Sequence, residues 1–419
     1  MIKTDNIYFY LIVLTIIATV VSPVIFKSID ELIVLFLVAF VSLDILVNRR
    51  WKDYILLYIM VGLMLFYAVM SIIQYNFNTP KAIFYDFVLQ LKPLLPFAIC
   101  YVALPKMSMA QKKIIRVLCV GTSIVTTLIF CVGATAAVLE HVVVFGNISF
   151  IVFVYYLYFS IDDDAQLPRK RLIIALIMVT IGLLSTRSKY YGEFGLAVFM
   201  MLIYKPGMFK SFKPSYIFAF CVMVVAVFIA IYPKLEYYFF QDIVNNMTED
   251  EDMSIARPAL YYGMGQIICD YPIFGTGLAS FAVYASTPMV GYSALYADYG
   301  LDKVWGISED YPDFICDTFY PELAQFGIVG IILFIVMWIW IYRRLLILLR
   351  QRDRYRFIVG VMCIAFVLIE STTGSTFTKC HGEAIMMLLG MIIAPTRFMS
   401  SEEKISVMNN EPYTINIQQ

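Results

Sequence analysis

Histidine is nearly absent: His141 and His381 are the only two in 419 residues, which excludes a histidine-rich metal site. Charge is scarce as well. Asp, Glu, Lys and Arg make up 15% of the chain against 61% hydrophobic residues, where soluble proteins average about a quarter charged and half apolar. A soluble chain of this composition would have no surface to show to water. The solvent that suits it is bilayer hydrocarbon, in which each helical span needs about 20 mainly apolar residues. The 31 basic residues balance the 31 acidic ones, so total charge points to no partner, and nothing suggests nucleic acid. Eight cysteines contain no Cys-x-x-Cys and no metal-ligand spacing. Cys100, Cys119, Cys131, Cys221 and Cys363 sit in apolar runs as small hydrophobes. Cys269, Cys316 and Cys380 fall in polar connections, and a Cys269–Cys316 disulfide stays open. No small-x-small cleavage site follows the first apolar run, so 8–26 reads as a first helix rather than a cleaved signal. Neither a metal nor a cofactor is expected.

What is abundant is apolar sequence in runs. They fall at about 8–26, 31–47, 54–73, 87–104, 115–138, 142–160, 172–186, 192–204, 216–232, 321–342, 357–371 and 384–396. In lipid every backbone polar group must be satisfied within its own element, so these are helices. The expected fold is all-α and polytopic, with about twelve transmembrane helices. Lys and Arg set the orientation. One alternation rule places Lys3, Arg49, Arg50, Lys52, Lys106, Lys112, Lys113, Arg116, the 169–171 cluster, Lys205, Lys210 and Lys213 inside. Arg343, Arg344, Arg350, Arg352, Arg354, Arg356, Arg397 and Lys404 follow on the same side, for 22 of the 31 basic residues. Both termini are expected in the cytoplasm.

The chain then divides into N-terminal spans (1–232, about nine), an outer loop (233–320), C-terminal spans (321–398, about three) and a polar tail (399–419). The outer loop is acidic and too long to be idle: connections of this length are commonly functional. Within it, 254–270 reads as a helix, with Ser254 to cap it, Pro258 in its first turn and Pro272 to stop it. Leu260, Met264, Ile267 and Ile268 give that helix an apolar stripe, which is expected to pack on the membrane domain. The acidic run 249–252 reads as a solvated tip.

Four segments hold candidate chemistry. Ser185 to Glu193 joins two short spans at the outer boundary, where Arg187 and Lys189 are costly unless paired or facing a water-filled cavity. A planar guanidinium suits phosphate, and Lys189 adds a second charge; interfacial anchoring is the alternative. Arg257 begins the loop helix beside Tyr261 and Tyr262, whose rings could stack on sugars. Pro272 to Gly277 reads as a tight turn, with anion binding by its amides as the weaker reading. From Ile307 to Gly330, carboxylates and aromatics, among them Asp317, Tyr320 and Glu322, crowd the entrance to a span. A carboxylate here could take a proton from a sugar hydroxyl. Lys92, inside a span, and His381, at the outer end of the last hairpin, complete the candidates.

The order of these pieces resembles the bacterial O-antigen polymerase and O-antigen ligase superfamily. The resemblance rests on Thr186-Arg187-Ser188 at a span end, the Arg257 helix, Pro-x-x-Gly-x-Gly at 272–277, and Gln325-Phe326-Gly327 opening a span. It implies a GT-C-like membrane domain with its site on the periplasmic side of the bacterial inner membrane. It also implies metal-independent transfer of a glycan from undecaprenyl diphosphate to an acceptor sugar. Arg187 and Arg257 then match arginines that hold the diphosphate, with Lys189 and Lys92 as further cations and Tyr261 and Tyr320 on the sugar. Asp317, Glu322 and His381 are the candidate catalytic groups. Ligases carry a His-Asn pair about eleven residues before the span glycine; here Cys316 and Asp317 stand there, which favours a polymerase. The expected partners are the lipid-linked oligosaccharide and membrane lipid, with room for a chain-length regulator. A ligase is the rival enzyme, and a lipid-linked oligosaccharide flippase or transporter the rival of another class, although no two-half repeat is visible.

Overall fold

The computed structural model describes residues 4–21, 29–139, 141–205 and 256–395, and all regular structure among them is helical. The helices are α1 (Thr4–Val21), α2 (Ile29–Asn48), α3 (Ile55–Met70), α4 (Pro80–Val102), α5 (Met109–Cys131), α6 (Thr135–Leu139) and α7 (Val142–Ser160). Beyond them come α8 (Arg169–Ile181), α9 (Ser188–Val198), α10 (Ala256–Asp270), the single turn α11 (Leu295–Asp298), α12 (Gly327–Arg350), α13 (Arg354–Glu370) and α14 (Cys380–Ile393). The predicted run 216–232, the acidic run 249–252, Ser254 and the tail lie outside the described residues. Among the described residues five helical stretches are long and apolar enough to cross a membrane: 55–75, α4, α5, α7 and 321–350. The chain is thus a helical protein built for a membrane.

Local chemistry fixes several helix ends. Thr79 caps α4 by accepting from Ala82 N at 3.3 Å, with Pro80 in the first turn, where no donor is missed. Ser108 and Gln111 form a reciprocal capping box on α5, at 3.2 and 2.9 Å. Helices then sort by what they touch. In α7, 83% of the span is buried, against 22% in α5. Every residue of α14 is buried too. Gly390 of α14 lies against the Phe97 carbonyl of α4, a separation that leaves no room for a Cβ. Tyr155 of α7 donates to the Ala384 carbonyl at 2.7 Å. By contrast α5 and α12 expose Val117, Ile124, Leu128, Ile332, Ile335 and Ile339, an apolar surface that suits lipid rather than water.

The predicted inner cations meet at one end of the bundle. Lys112 pairs with Asp163 at 2.7 Å and Arg171 with Asp162 at 2.6 Å. Arg116 donates to Phe159 O at 2.7 Å and Arg356 to Asp162 O at 3.3 Å. Asp5 at the start of α1 accepts from Lys106 N at the same end. Cations drawn from three predicted inner clusters therefore converge on one turn, between α7 and α8.

The outer loop folds around a second core, of Leu260, Ile267, Phe281, Tyr296, Leu301, Ile307 and Ile315. The expected docking of the α10 stripe on the membrane domain holds only in part. Leu260 and Ile267 face the loop's own core, while Met264 also touches the core of the bundle. Loop and bundle are joined by main chain. Gly277 N donates to Gln325 O at 2.9 Å, and Ile328 N to Pro272 O at 2.8 Å. Gly275 (φ 68°) and Gly327 (φ 60°) adopt left-handed backbone, and a Cβ on either would strike the other strand of this contact.

Candidate functional site

The segment between α8 and α9 reverses the chain. A short 3-10 turn, Gly182–Ser185, ends at Thr186, whose φ of 52° is uncommon for a β-branched residue. Tyr190 folds back to donate to Val179 O at 2.8 Å, and its ring leaves no room for a Cβ at Gly182. The reversal puts half-buried Arg187 at the start of α9 and Lys189 one residue inside it. Lys189 Nζ pairs with Glu370 Oε2 at 2.8 Å and donates to Glu370 O and Thr373 O at 3.2 and 3.3 Å. Glu193, one helical turn on, is 1% exposed, and its Oε1 has no hydrogen-bond partner. Lys189 is therefore a compensated charge.

Arg257 enters from the other side. Its Nε donates to Asp317 Oδ2 at 2.8 Å, its Nη2 donates to the same oxygen, and Phe314 lies 5.9 Å beneath the guanidinium. Both partners keep about a third of their side-chain surface, 34% and 29%. Tyr261, one turn along α10, donates to Thr372 O at 2.8 Å, and Tyr320 donates to Leu368 O at 2.7 Å. Burial, helped by neighbouring Tyr320, pushes the Tyr261 phenol up to about 12. It stays a neutral donor. Ser375 Oγ reaches Cys316 O at 2.6 Å, and Phe319 N reaches Ser371 O at 3.2 Å.

Several of these contacts end on one stretch, 368–375, which runs from the last residues of α13 toward α14. Lys189, Tyr261, Cys316, Phe319 and Tyr320 each bond to it, and Asp317 brings Arg257 alongside. The predicted residues Lys189, Tyr261 and Tyr320 are thus tied to one stretch, Arg257 and Asp317 lie alongside it, and Arg187 precedes Lys189 by two residues at the start of α9. Glu370 and the carbonyls around it had no sequence signal, since their partners lie 48 to 184 residues away in the chain. Lys379 belongs here too. Burial pushes the Cys316 thiol up, while Lys379 pulls it down and Asp317 adds to the rise. Cys269 and Cys316 are both free, so the open disulfide is not formed.

Three predicted residues lie elsewhere. Lys92 forms an ion pair with Asp30 in the bundle interior, the two side chains 6% and 4% exposed. His381 is 4% exposed at the start of α14, with Nε2 unpartnered. Glu322 is 1% exposed and accepts from Gln90, whose amide also donates to buried Asp86 at 3.1 Å. Asp86 in turn accepts from Ala279 N at 2.7 Å, Ser71 from Leu278 N at 2.6 Å, and Gln325 from Ser280 N at 2.9 Å. The Pro272–Gly277 turn thus leads into amides that already have partners. The weaker reading, anion binding by that turn's amides, is not supported for Gly277, whose amide is taken by Gln325 O.

Two cavities open at opposite ends. The outer one, about 680 Å³, lies between the start of α4 and the 292–310 part of the loop. The inner one, about 400 Å³, is lined by Lys106, Lys112, Arg356 and apolar neighbours. Neither is lined by Arg187, Lys189 or Arg257. Among the described residues no cluster of His, Cys, Asp and Glu could hold a metal ion. No protein-family model matches the chain, and no curated protein is similar to it.

Proposed function

We propose that this chain is a polysaccharide polymerase of the bacterial inner membrane, a twelve-span protein similar to GT-C glycosyltransferases, with its site on the periplasmic side. It moves a glycan from undecaprenyl diphosphate to the sugar end of another lipid-linked repeat unit. The observation that carries this reading is the Arg257–Asp317 pair, about a third open to solvent and held beside the stretch that also binds Lys189. A departing diphosphate needs positive charge wherever the acceptor comes from. Arg257 and Arg187 supply it, and Lys189 adds to it once Glu370 yields.

In the transfer an acceptor hydroxyl oxygen bonds to the anomeric carbon as the bond from that carbon to the diphosphate oxygen breaks. The hydroxyl proton passes to a carboxylate, and Asp317 is the assigned base. Glu322 and His381 are buried, and a buried group cannot meet a sugar hydroxyl without a large rearrangement. Asp317 also steers the Arg257 fork, because two donors on one oxygen fix the guanidinium plane. Holding donor and acceptor on membrane anchors makes their meeting nearly intramolecular.

A deletion strain examined for surface glycan tests the reading. A single repeat unit on lipid A-core is the expected result. Long polymer left on the carrier would make the chain a ligase, and repeat units trapped inside would make it a flippase.

A further inference from the structure

The outer cavity has no part in the chemistry above, yet it is built. Its floor is the turn before α4, where Asn78 donates to Ala279 O at 2.8 Å and Gly291 O at 2.6 Å and accepts from Thr79 N at 2.7 Å. Ala294 N reaches Phe77 O at 3.2 Å and closes the same wall. The opposite wall carries Tyr292, anchored by its hydroxyl to Ile307 O at 2.9 Å, with Asp302, Glu309 and Asp310 around it. Asp302 Oδ1 is buried and has no hydrogen-bond partner among the described residues. Burial, and then the charges of Asp302 and Glu309, push the Tyr292 phenol up. The two carboxylates therefore act on the same wall.

Among the described residues no Lys or Arg lines this space. The amino end of α4 contributes a partial positive charge of about half a unit, which three carboxylates outweigh. A phosphate or a uronic acid is repelled. A volume of about 680 Å³ falls within the range of small-molecule sites, about 300–1,000 Å³. An aromatic wall, hydroxyl and amide groups, and an excess of negative charge together fit a hydroxyl-rich ligand that carries a positive charge.

We infer that the outer cavity is a binding site for a saccharide bearing a free amino group, its ammonium held by Asp302, Glu309 and Asp310 and its ring against Tyr292. The stretch that carries Glu309 and Asp310 continues along the chain to Phe314 and Asp317, which meet Arg257. Its role as the acceptor end rests on the transfer reading; the binding itself does not.

The test uses the full chain in lipid nanodiscs and reads binding alone by calorimetry. The probes are the β-1,4-linked glucosamine disaccharide, its di-N-acetyl counterpart, a galacturonic acid disaccharide, spermidine and Ca²⁺. The glucosamine disaccharide should bind, with the N-acetylated form at least about tenfold weaker and the uronate undetected. Glu309→Gln with Asp310→Asn, two exposed positions whose neutralisation leaves the fold intact, should weaken the glucosamine disaccharide by about tenfold or more. Unchanged thermal melting of that variant shows that it is folded. Equal binding of the N-acetylated form overturns the proposal, as does unchanged affinity in the variant or no binding of the glucosamine disaccharide. Spermidine binding as tight as the disaccharide would reduce the site to a cation trap, and Ca²⁺ binding with the same residue dependence would make it a metal site.

Discussion

At the residue scale, the informative pair is Arg257 and Asp317. Each was legible as a candidate in the sequence, the arginine at the start of the loop helix and the aspartate as a carboxylate at a span entrance. Their pairing was not, because 60 residues separate them and sequence spacing carries no tertiary register. The same holds for Lys189 and Glu370, 181 residues apart. The pairing shapes the predictions. Arg257→Ala should abolish visible polymer, a loss of at least about 100-fold, with protein still in the membrane. Arg257→Lys should remain clearly impaired, since an ammonium cannot donate two fixed bonds to one carboxylate. Asp317→Asn should also lose polymer strongly, and restoring aspartate alone should restore it. Glycan ladders on gels, at matched expression, decide all three. Near-normal ladders for Arg257→Ala and Arg187→Ala would remove the diphosphate assignment.

At the element scale, hydrophobic runs located the long apolar helices among the described residues, because a span in lipid has only one way to satisfy its backbone. What faces what was less legible. The α10 stripe was visible at helical spacing, but a stripe names no partner, and the loop supplied its own core. The Gly275 and Gly327 contact is the seam between that core and the bundle. Gly275→Ala adds a Cβ against the Ala324 carbonyl at a φ of 68°, so it should cost at least about 2 kcal/mol. A lowered melting temperature in detergent, with earlier proteolysis inside 272–320, is the expected result. Gly390→Leu should act on the bundle instead, by forcing α14 away from the Phe97 carbonyl of α4. It should reduce the amount of folded protein recovered from membranes.

At the scale of the whole molecule, charge placement in the sequence anticipated which ends meet. Lys112, Arg116, Arg171 and Arg356 come from separate segments and converge on 159–163. Orientation across the membrane is a separate matter, and labelling checks it. In a background with Cys131 and Cys269 replaced by serine, Tyr311→Cys should react with an impermeant maleimide from outside. Trp51→Cys and Gln351→Cys should react only after permeabilisation. Tyr311 and Trp51 are 59% and 51% exposed, and Gln351 is exposed as well, so silence at any of them would reflect sidedness rather than burial.

The reversal at Thr186 has a consequence for the lipid around it. The returning arm runs 11 residues in α9 and 5 more in a π turn, or roughly 24 Å at 1.5 Å per residue. The hydrocarbon layer is about 30 Å thick. On the proposed twelve-span reading, a crossing that short would draw the bilayer surface inward through hydrophobic mismatch. Headgroups would then sit lower beside Arg187 than elsewhere on the perimeter, and a diphosphate riding on a lipid tail would come down to the arginine. Reconstituted into membranes of stepped acyl-chain length, the protein should work best in the thinner ones and slow as the bilayer thickens.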